Sequence, residues 1–353
     1  MSLPDLKDYT LQELVGFAES LGLSAFRGRQ IFSWLYRPGI TDFSQMTDLS
    51  LKVRQQLAEN ATFSRLVPAV KENSVDGTSK YGFQLADKKY IESVLIPDED
   101  RLTLCISSQV GCAMGCLFCK TATMGLQRNL TPAEIVNQVG AVIEDIRCAI
   151  KPEFEQGNRL INNIVFMGMG EPLANLDNVV KAINILTDQR GYNFSERRIT
   201  VSTCGLVPRI AELGERTNVN LAISLHAIDD ETRDRIMPVN KTFSIARLLQ
   251  ACRDFPLAKR RRIMFEYILI DGLNDAPRHA KKLAALLRNI RCKINLLPFN
   301  EVEGIAFKEP KEESTAQFQK ILRDAGYTVI VRSSRGADIS AACGQLADKL
   351  VDD

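Results

Sequence analysis

Three cysteines, Cys112, Cys116 and Cys119, form a CxxxCxxC run inside the stretch GCAMGCLFCK. That spacing gathers three thiolates on one short loop and supplies no fourth. A closed structural metal site wants four ligands, whereas an incomplete set leaves a position open for a reactant. Gly111 and Gly115 let the backbone wrap closely around a bulky inorganic core, and Phe118, just before the last cysteine, can shield that core from water. Zinc sites pair two CxxC units or add two histidines, and this chain has only His226 and His279, neither with a local partner. The plain alternative is three ordinary buried cysteines. The clustering and the flanking glycines point instead to a site-differentiated 4Fe-4S cluster.

The CxxxCxxC loop with an aromatic before its third cysteine resembles the signature of radical S-adenosylmethionine (radical SAM) enzymes. Further stretches, SSQVGCAMGCLFC, NIVFMGMGEPLAN, ISLHA, INLLPFN and RGADISAACGQLA, resemble the RlmN-type RNA methyltransferases, which methylate adenosine at C2, and their Cfr-type C8 relatives. This likeness runs over nearly the whole chain. It implies a 4Fe-4S cluster held by Cys112, Cys116 and Cys119, and SAM held by Gly170, Glu171, Ser202, Ser224, Leu225, His226 and Asn300. It further implies that Cys343 is methylated by one SAM, that a second SAM yields the radical that activates this methyl, and that Cys105 resolves the resulting protein–RNA thioether through a transient Cys105–Cys343 disulfide. Glu92 matches the position of the base that removes the C2 proton. Lys120 is a departure, because relatives carry a small residue after the third cysteine.

The chemistry fits such a cofactor. C2 of adenine is electron-poor and cannot attack the SAM methyl in a polar displacement, so a radical route is required. The resemblance implies 23S ribosomal RNA and transfer RNA as substrates and an external electron donor such as flavodoxin, with a monomeric protein. A C8 methyltransferase, or a non-catalytic iron-sulfur redox sensor that binds RNA, are the competing functions. The sensor would need no SAM pocket.

These residues need elements to position them. Residues 1–75 read as a small helical accessory domain: Thr10 with Glu13 makes a capping box, and Leu11, Leu14, Val15 and Phe17 follow at helical spacing. Residues 76–100 read as a linking β-hairpin, KYGFQL and YIESVLI around a turn. From residue 101 to 353, apolar runs alternate with amphipathic helices in about six βα units: LTLCIS, NIVFM, RITVST, LAISL, RIMFEYILI and KINLLPF. Alternating units predict a parallel sheet, and six are too few to close an eight-stranded barrel. The expected fold is an α/β partial (βα)6 barrel of the radical SAM kind with a C-terminal segment bearing Cys343. Sites in such folds lie at the C-terminal strand ends, where the cluster loop, Gly170, Ser202, Ser224 and Asn300 all fall. Alternation along LTLCIS places Thr103, Cys105 and Ser107 on one face.

Composition is compatible with this reading. The chain has 353 residues, 45% hydrophobic and 25% charged, enough for one large core and an accessory domain. No apolar run approaches the roughly 20 residues that span a bilayer, and MSLPDLKDYT lacks the order of a signal peptide. Nine scattered cysteines suit a reducing compartment rather than a secreted disulfide framework, so a cytoplasmic location with no membrane is expected. A formal charge of +2 does not by itself argue for nucleic acid. The Lys259–Arg262 block, Arg27 and Arg29 near Trp34, and Arg190, Arg197 and Arg198 become an RNA footprint only through the resemblance. Cys148, Cys204, Cys252 and Cys292 read as inert.

Overall fold

The structure is a computed structural model, described over residues 3–149, 160–301, 304–332 and 334–346. Three helices open the chain, α1 (Leu11–Ser20), α2 (Ala25–Leu35) and α3 (Leu51–Asn60). The Thr10–Glu13 capping box forms as its residues predict, each side chain accepting the other's backbone N–H. Leu14, Ala18, Ile31, Phe32 and Leu57 are fully buried. The helical unit docks on α5 (Pro132–Ala149), the helix that follows the cysteine loop. Its contacts are polar as well as apolar: Lys7 Nζ donates to Asn137 Oδ1 at 2.8 Å and the Ala133 N–H to the Asp8 carboxylate at 2.8 Å. Burial lowers the Lys7 ammonium to about 8.

The rest is built on one ten-stranded sheet. Four antiparallel strands form one wing, β1 (Pro68–Asn73), β2 (Ser79–Gln84), β3 (Tyr90–Asp98) and β4 (Arg101–Cys105). From β4 the sheet runs parallel through β7 (Asn163–Phe166), β8 (Ile199–Thr203), β9 (Asn220–Ser224), β10 (Ile263–Leu269), β11 (Cys292–Pro298) and β12 (Val329–Val331). Between β4 and α5, β5 (Gln109–Gly111) and β6 (Leu126–Asn129) pair as a separate ribbon around the cysteine loop and the single-turn helix α4 (Lys120–Thr123) that follows it. The crossover helices are α6 (Leu176–Thr187), α7 (Val207–Arg216), α8 (Asp230–Ile236), α9 (Ile245–Asp254), α10 (Pro277–Leu286) and α11 (Glu312–Asp324). The strand order is linear, an open partial barrel.

Two expectations change. The hairpin is the middle of an antiparallel wing, because β1 lies inside the stretch read as helical and adds an edge strand whose residues alternate between half-buried and exposed. The parallel part gains β12, whose three residues are too short for a period to show in sequence.

Register sorts the two faces of the sheet. Leu104, Ile164, Ile199, Val201, Leu221, Ile223, Phe265 and Ile294 share one face and are each at most 1% exposed. The other, concave face carries Cys105 opposite Val94 on β3, then Ser202, Ser224, Glu266 and Asn295 in cross-strand register. Glu92 lies two residues from Val94 on the same face.

Candidate active site

The cysteine loop is held at both ends. The Cys112 N–H donates to Gly125 O at 3.0 Å, and Gly111, at φ 73°, approaches so closely that a Cβ there would meet Gly125 O at 1.8 Å. Only glycine fits. At mid-loop the Leu117 N–H donates to Ile236 O, at the end of α8, at 3.0 Å. Burial pushes the three thiols up, Cys112 to about 11, so deprotonation must accompany metal binding. Among the described residues no three His, Cys, Asp or Glu side chains converge on a single ion. Three thiols on one glycine-cradled loop fit a bulkier cluster core.

The strand ends that the resemblance assigns to SAM surround this loop. Gly170, at φ 97°, packs so closely on Gln109 that a Cβ there would meet the Gln109 Cβ at 2.5 Å. The Gln109 carboxamide accepts the Glu171 N–H at 2.8 Å. Glu171 is buried; its Oε1 accepts the Leu173 N–H at 2.9 Å and its Oε2 the Cys204 N–H at 2.8 Å. Burial raises its pKa. Ser202 and Ser224 are half-buried on the concave face, and Leu225 is fully buried, its N–H on Glu266 O at 3.1 Å.

His226 adopts φ 60°, and its Nδ1 accepts the Ile268 N–H at 3.0 Å. The ring proton therefore sits on Nε2. Burial, then the Arg233 charge, hold the ring neutral with a pKa of about 3. Its edge meets Phe118 at 4.9 Å and 90°, so the residue before Cys119 packs on this strand end. Asn300 follows β11 and accepts from the Ser334 hydroxyl.

Cys105 is buried on the concave face of β4. Burial raises its thiol, and the Cys343 sulfur raises it further. Both are free thiols. Cys343 is open to solvent yet set among protein groups: burial raises it first, then the Glu266 carboxylate.

The segment that carries Cys343 is a strap. The Ser74 hydroxyl donates to Asp338 at 2.6 Å, Lys80 Nζ to Ile339 O at 2.8 Å, the Lys120 N–H to Gly344 O at 2.7 Å and the Thr121 hydroxyl to Leu346 O at 2.6 Å. It thus runs from the β1–β2 turn to the cluster loop. Glu92 is buried with a carboxylate oxygen 3.6 Å from Lys80 Nζ.

Sequence reasoning missed three participants. Cys204, read as inert, directly follows β8, its N–H donating to Glu171 and its carbonyl accepting from Arg233 Nη2 at 2.7 Å. Gln109 orients Gly170 and Glu171. Arg233 is 0% exposed, a placement that a charged residue on a short helix does not announce. The position of Cys204, directly after Ser202 and Thr203, was the available signal.

Residues 4–63 match the family profile of the ribosomal RNA large subunit methyltransferase N-terminal domain, and residues 106–284 that of the radical SAM superfamily. A dual-specificity RNA methyltransferase RlmN from Desulfotalea psychrophila is 56% identical over 343 residues, covering 97% of this chain and 94% of the relative. The protein of the same name from Geotalea uraniireducens is 55% identical over 350 residues, covering 99% and 98%. A solved radical SAM methyltransferase from Sphaerobacter thermophilus superposes with a TM-score of 0.89 at 44% identity, covering 97% of this chain and 98% of that one. With near-complete coverage in sequence and in structure, and a three-thiol loop at the strand ends of an open barrel, the chain belongs to the RlmN family of radical SAM enzymes.

Proposed function

We propose that this chain methylates C2 of adenosine in 23S ribosomal RNA and in transfer RNA, with Cys343 carrying the one-carbon unit and Cys105 releasing the product. The observation that carries this reading is the strap bearing Cys343, bonded to Lys80 on β2 and to Lys120 and Thr121 beside the cluster loop, with Cys105 buried on β4 two strands from β2. The relatives' names supply the RNA substrate and the dual specificity.

Cys112, Cys116 and Cys119 would hold the 4Fe-4S cluster, and Gly170, Glu171, Ser202, Ser224, Leu225, His226 and Asn300 would line SAM. When bound, these groups supply the methyl and the radical that activates it. The chain's residues do the rest. Cys343 is presented toward the cluster loop by the hydrogen bonds of Gly344 and Leu346. The Phe118–His226 contact sets two rings beside the third cluster cysteine, the next residue in the chain after Phe118. Glu92, on the face of Cys105, accepts the C2 proton, with Lys80 beside it to hold its charge. The Cys105 thiolate attacks the Cys343 sulfur, and the disulfide forms as the sulfur–carbon bond breaks; the bonding pair leaves with the methylene carbon, is spread into the adenine ring, and takes up a proton to give the methyl group. In this reading the protein works as a cytoplasmic monomer fed by a flavodoxin-type donor; among the described residues no helix is long and apolar enough to cross a membrane.

Cys105→Ala is the test. It should accept the methyl and join adenine but stall with RNA attached to Cys343, whereas Cys343→Ala should form neither adduct nor product. A denaturing gel, nuclease digestion and mass spectrometry locate the link, and nucleoside analysis distinguishes C2 from C8 methylation. Normal turnover by Cys105→Ala would remove the two-cysteine mechanism.

A further inference from the structure

α8 and the turn after it are the floor of the cluster loop. Beyond the Leu117–Ile236 bond, a Cβ on Gly115 would rest 3.6 Å from the Pro238 ring, and Cys204, Ala227, Ile236 and Met237 pack against Met114, Cys116 and Phe118. Arg233 lies one turn back from Ile236 and is the largest fully buried side chain. Its guanidinium donates to Cys204 O at 2.7 Å, Ser224 O at 3.0 Å, Leu225 O at 3.0 Å and Asn240 Oδ1 at 3.0 Å.

Every one of those acceptors is neutral. A buried cation with only dipolar partners is costly to keep unless negative charge lies close by. On the loop side Ile236 and Met237 pack against Cys116, a thiolate once the loop holds its cluster, while the acidic side chains bonded to Asn240 are those of Asp230 and Asp234. The two aspartates are set one residue back, since both accept from Asn240 Nδ2, at 2.9 and 2.7 Å. His226, also facing Arg233, is neutral and cannot balance it.

We propose that Arg233 is the built-in counter-charge of the three-thiolate centre: it ties the ends of β8 and β9 together beneath the loop and raises the reduction potential of the cluster bound there. Adding an electron makes the centre more negative, and a fixed cation in a dry floor favours that reduced form. The same side chain fixes Ser224, Leu225 and Cys204 through their carbonyls, so one residue couples the geometry of the strand ends to the electronics of the loop. The inference rests on the three thiols holding an iron–sulfur cluster.

The experiment uses the full chain, reconstituted anaerobically, as wild type, Arg233→Lys and Arg233→Met. Each protein is first assayed for iron and sulfide, then titrated with redox mediators while electron paramagnetic resonance reads the reduced cluster. Arg233→Lys, which keeps the charge but not the fork, should hold a midpoint near wild type. Arg233→Met should shift it downward. A purely mechanical strut would move both variants alike or neither, and either result overturns the proposal. Should Arg233→Met fail to take up a cluster, Asp234→Asn removes an opposing charge and leaves the guanidinium in place. It should shift the midpoint upward, and an unmoved midpoint overturns the proposal equally. Wild-type protein without iron or sulfide would instead strike at the cluster assignment itself.

Discussion

Glu171 has both carboxylate oxygens engaged by backbone N–H groups, from Leu173 and from Cys204, while burial raises its pKa. A carboxylate charge there is expensive to keep, and in the proposed function it holds the SAM ammonium. Glu171→Ala should weaken SAM binding by about tenfold or more and destabilise the fold by ~1–3 kcal/mol, because two buried donors lose their acceptor. Glu171→Gln keeps one acceptor and should recover part of the stability but not the affinity. Calorimetry with SAM and urea melts measure the two effects, and unchanged affinity in both variants would exclude the carboxylate from the site. At this scale the sequence is informative where motifs are contiguous: the cluster cysteines announce themselves by spacing, while Gly170, Glu171 and Ser224 to His226 are picked out only by motifs that resemble the family's. Arg233 and Gln109 are silent, because their roles arise from burial and from hydrogen bonds to distant backbone, which no local pattern encodes.

Between elements, the pairing of β10 with β11 sets Glu266 opposite Asn295, whose Nδ2 donates to Glu266 Oε1 at 2.9 Å. Burial raises this carboxyl to about 7, with Arg332 and Lys293 offsetting part of the effect. A folded-state pKa above the unfolded value means that Glu266 favours the fold most at low pH, and that this contribution is lost as pH climbs from 4.5 towards 7. Glu266→Gln removes the titration. Relative to wild type it should be near parity at about pH 4.5 and more stable by ~2–3 kcal/mol at about pH 8. Urea melts of cluster-free protein at the two pH values test this, and a difference independent of pH would contradict it. The parallel strands that carry such pairs were legible as apolar runs of five or more residues. β1 and β12 were not: one is an edge strand following a helical stretch, and the other is three residues long and defined by its partner on β11.

Over the whole molecule, the strap makes the catalytic centre a joint product of distant parts of the chain. Asp338 accepts from the Ser74 hydroxyl and from the Val75 N–H, anchoring the strap to the β1–β2 turn. Asp338→Ala should leave global stability within ~1 kcal/mol, as exposed polar changes do, yet raise the rate at which iodoacetamide modifies Cys343 by several-fold, read by peptide mass spectrometry. An unchanged rate would mean that the cluster-loop contacts alone hold the strap. Those contacts, Lys120 to Gly344 and Thr121 to Leu346, also bear on how long the protein stays on its RNA. Once the base is joined to Cys343 in the proposed reaction, the nucleic acid is fastened to a segment that is itself bonded to the cluster loop. Raising the salt concentration, which weakens phosphate contacts, cannot then set it free. Residence time at that stage is fixed by the reach of one sulfur on β4 toward another on the strap, so departure becomes a chemical event with its own clock rather than a matter of affinity.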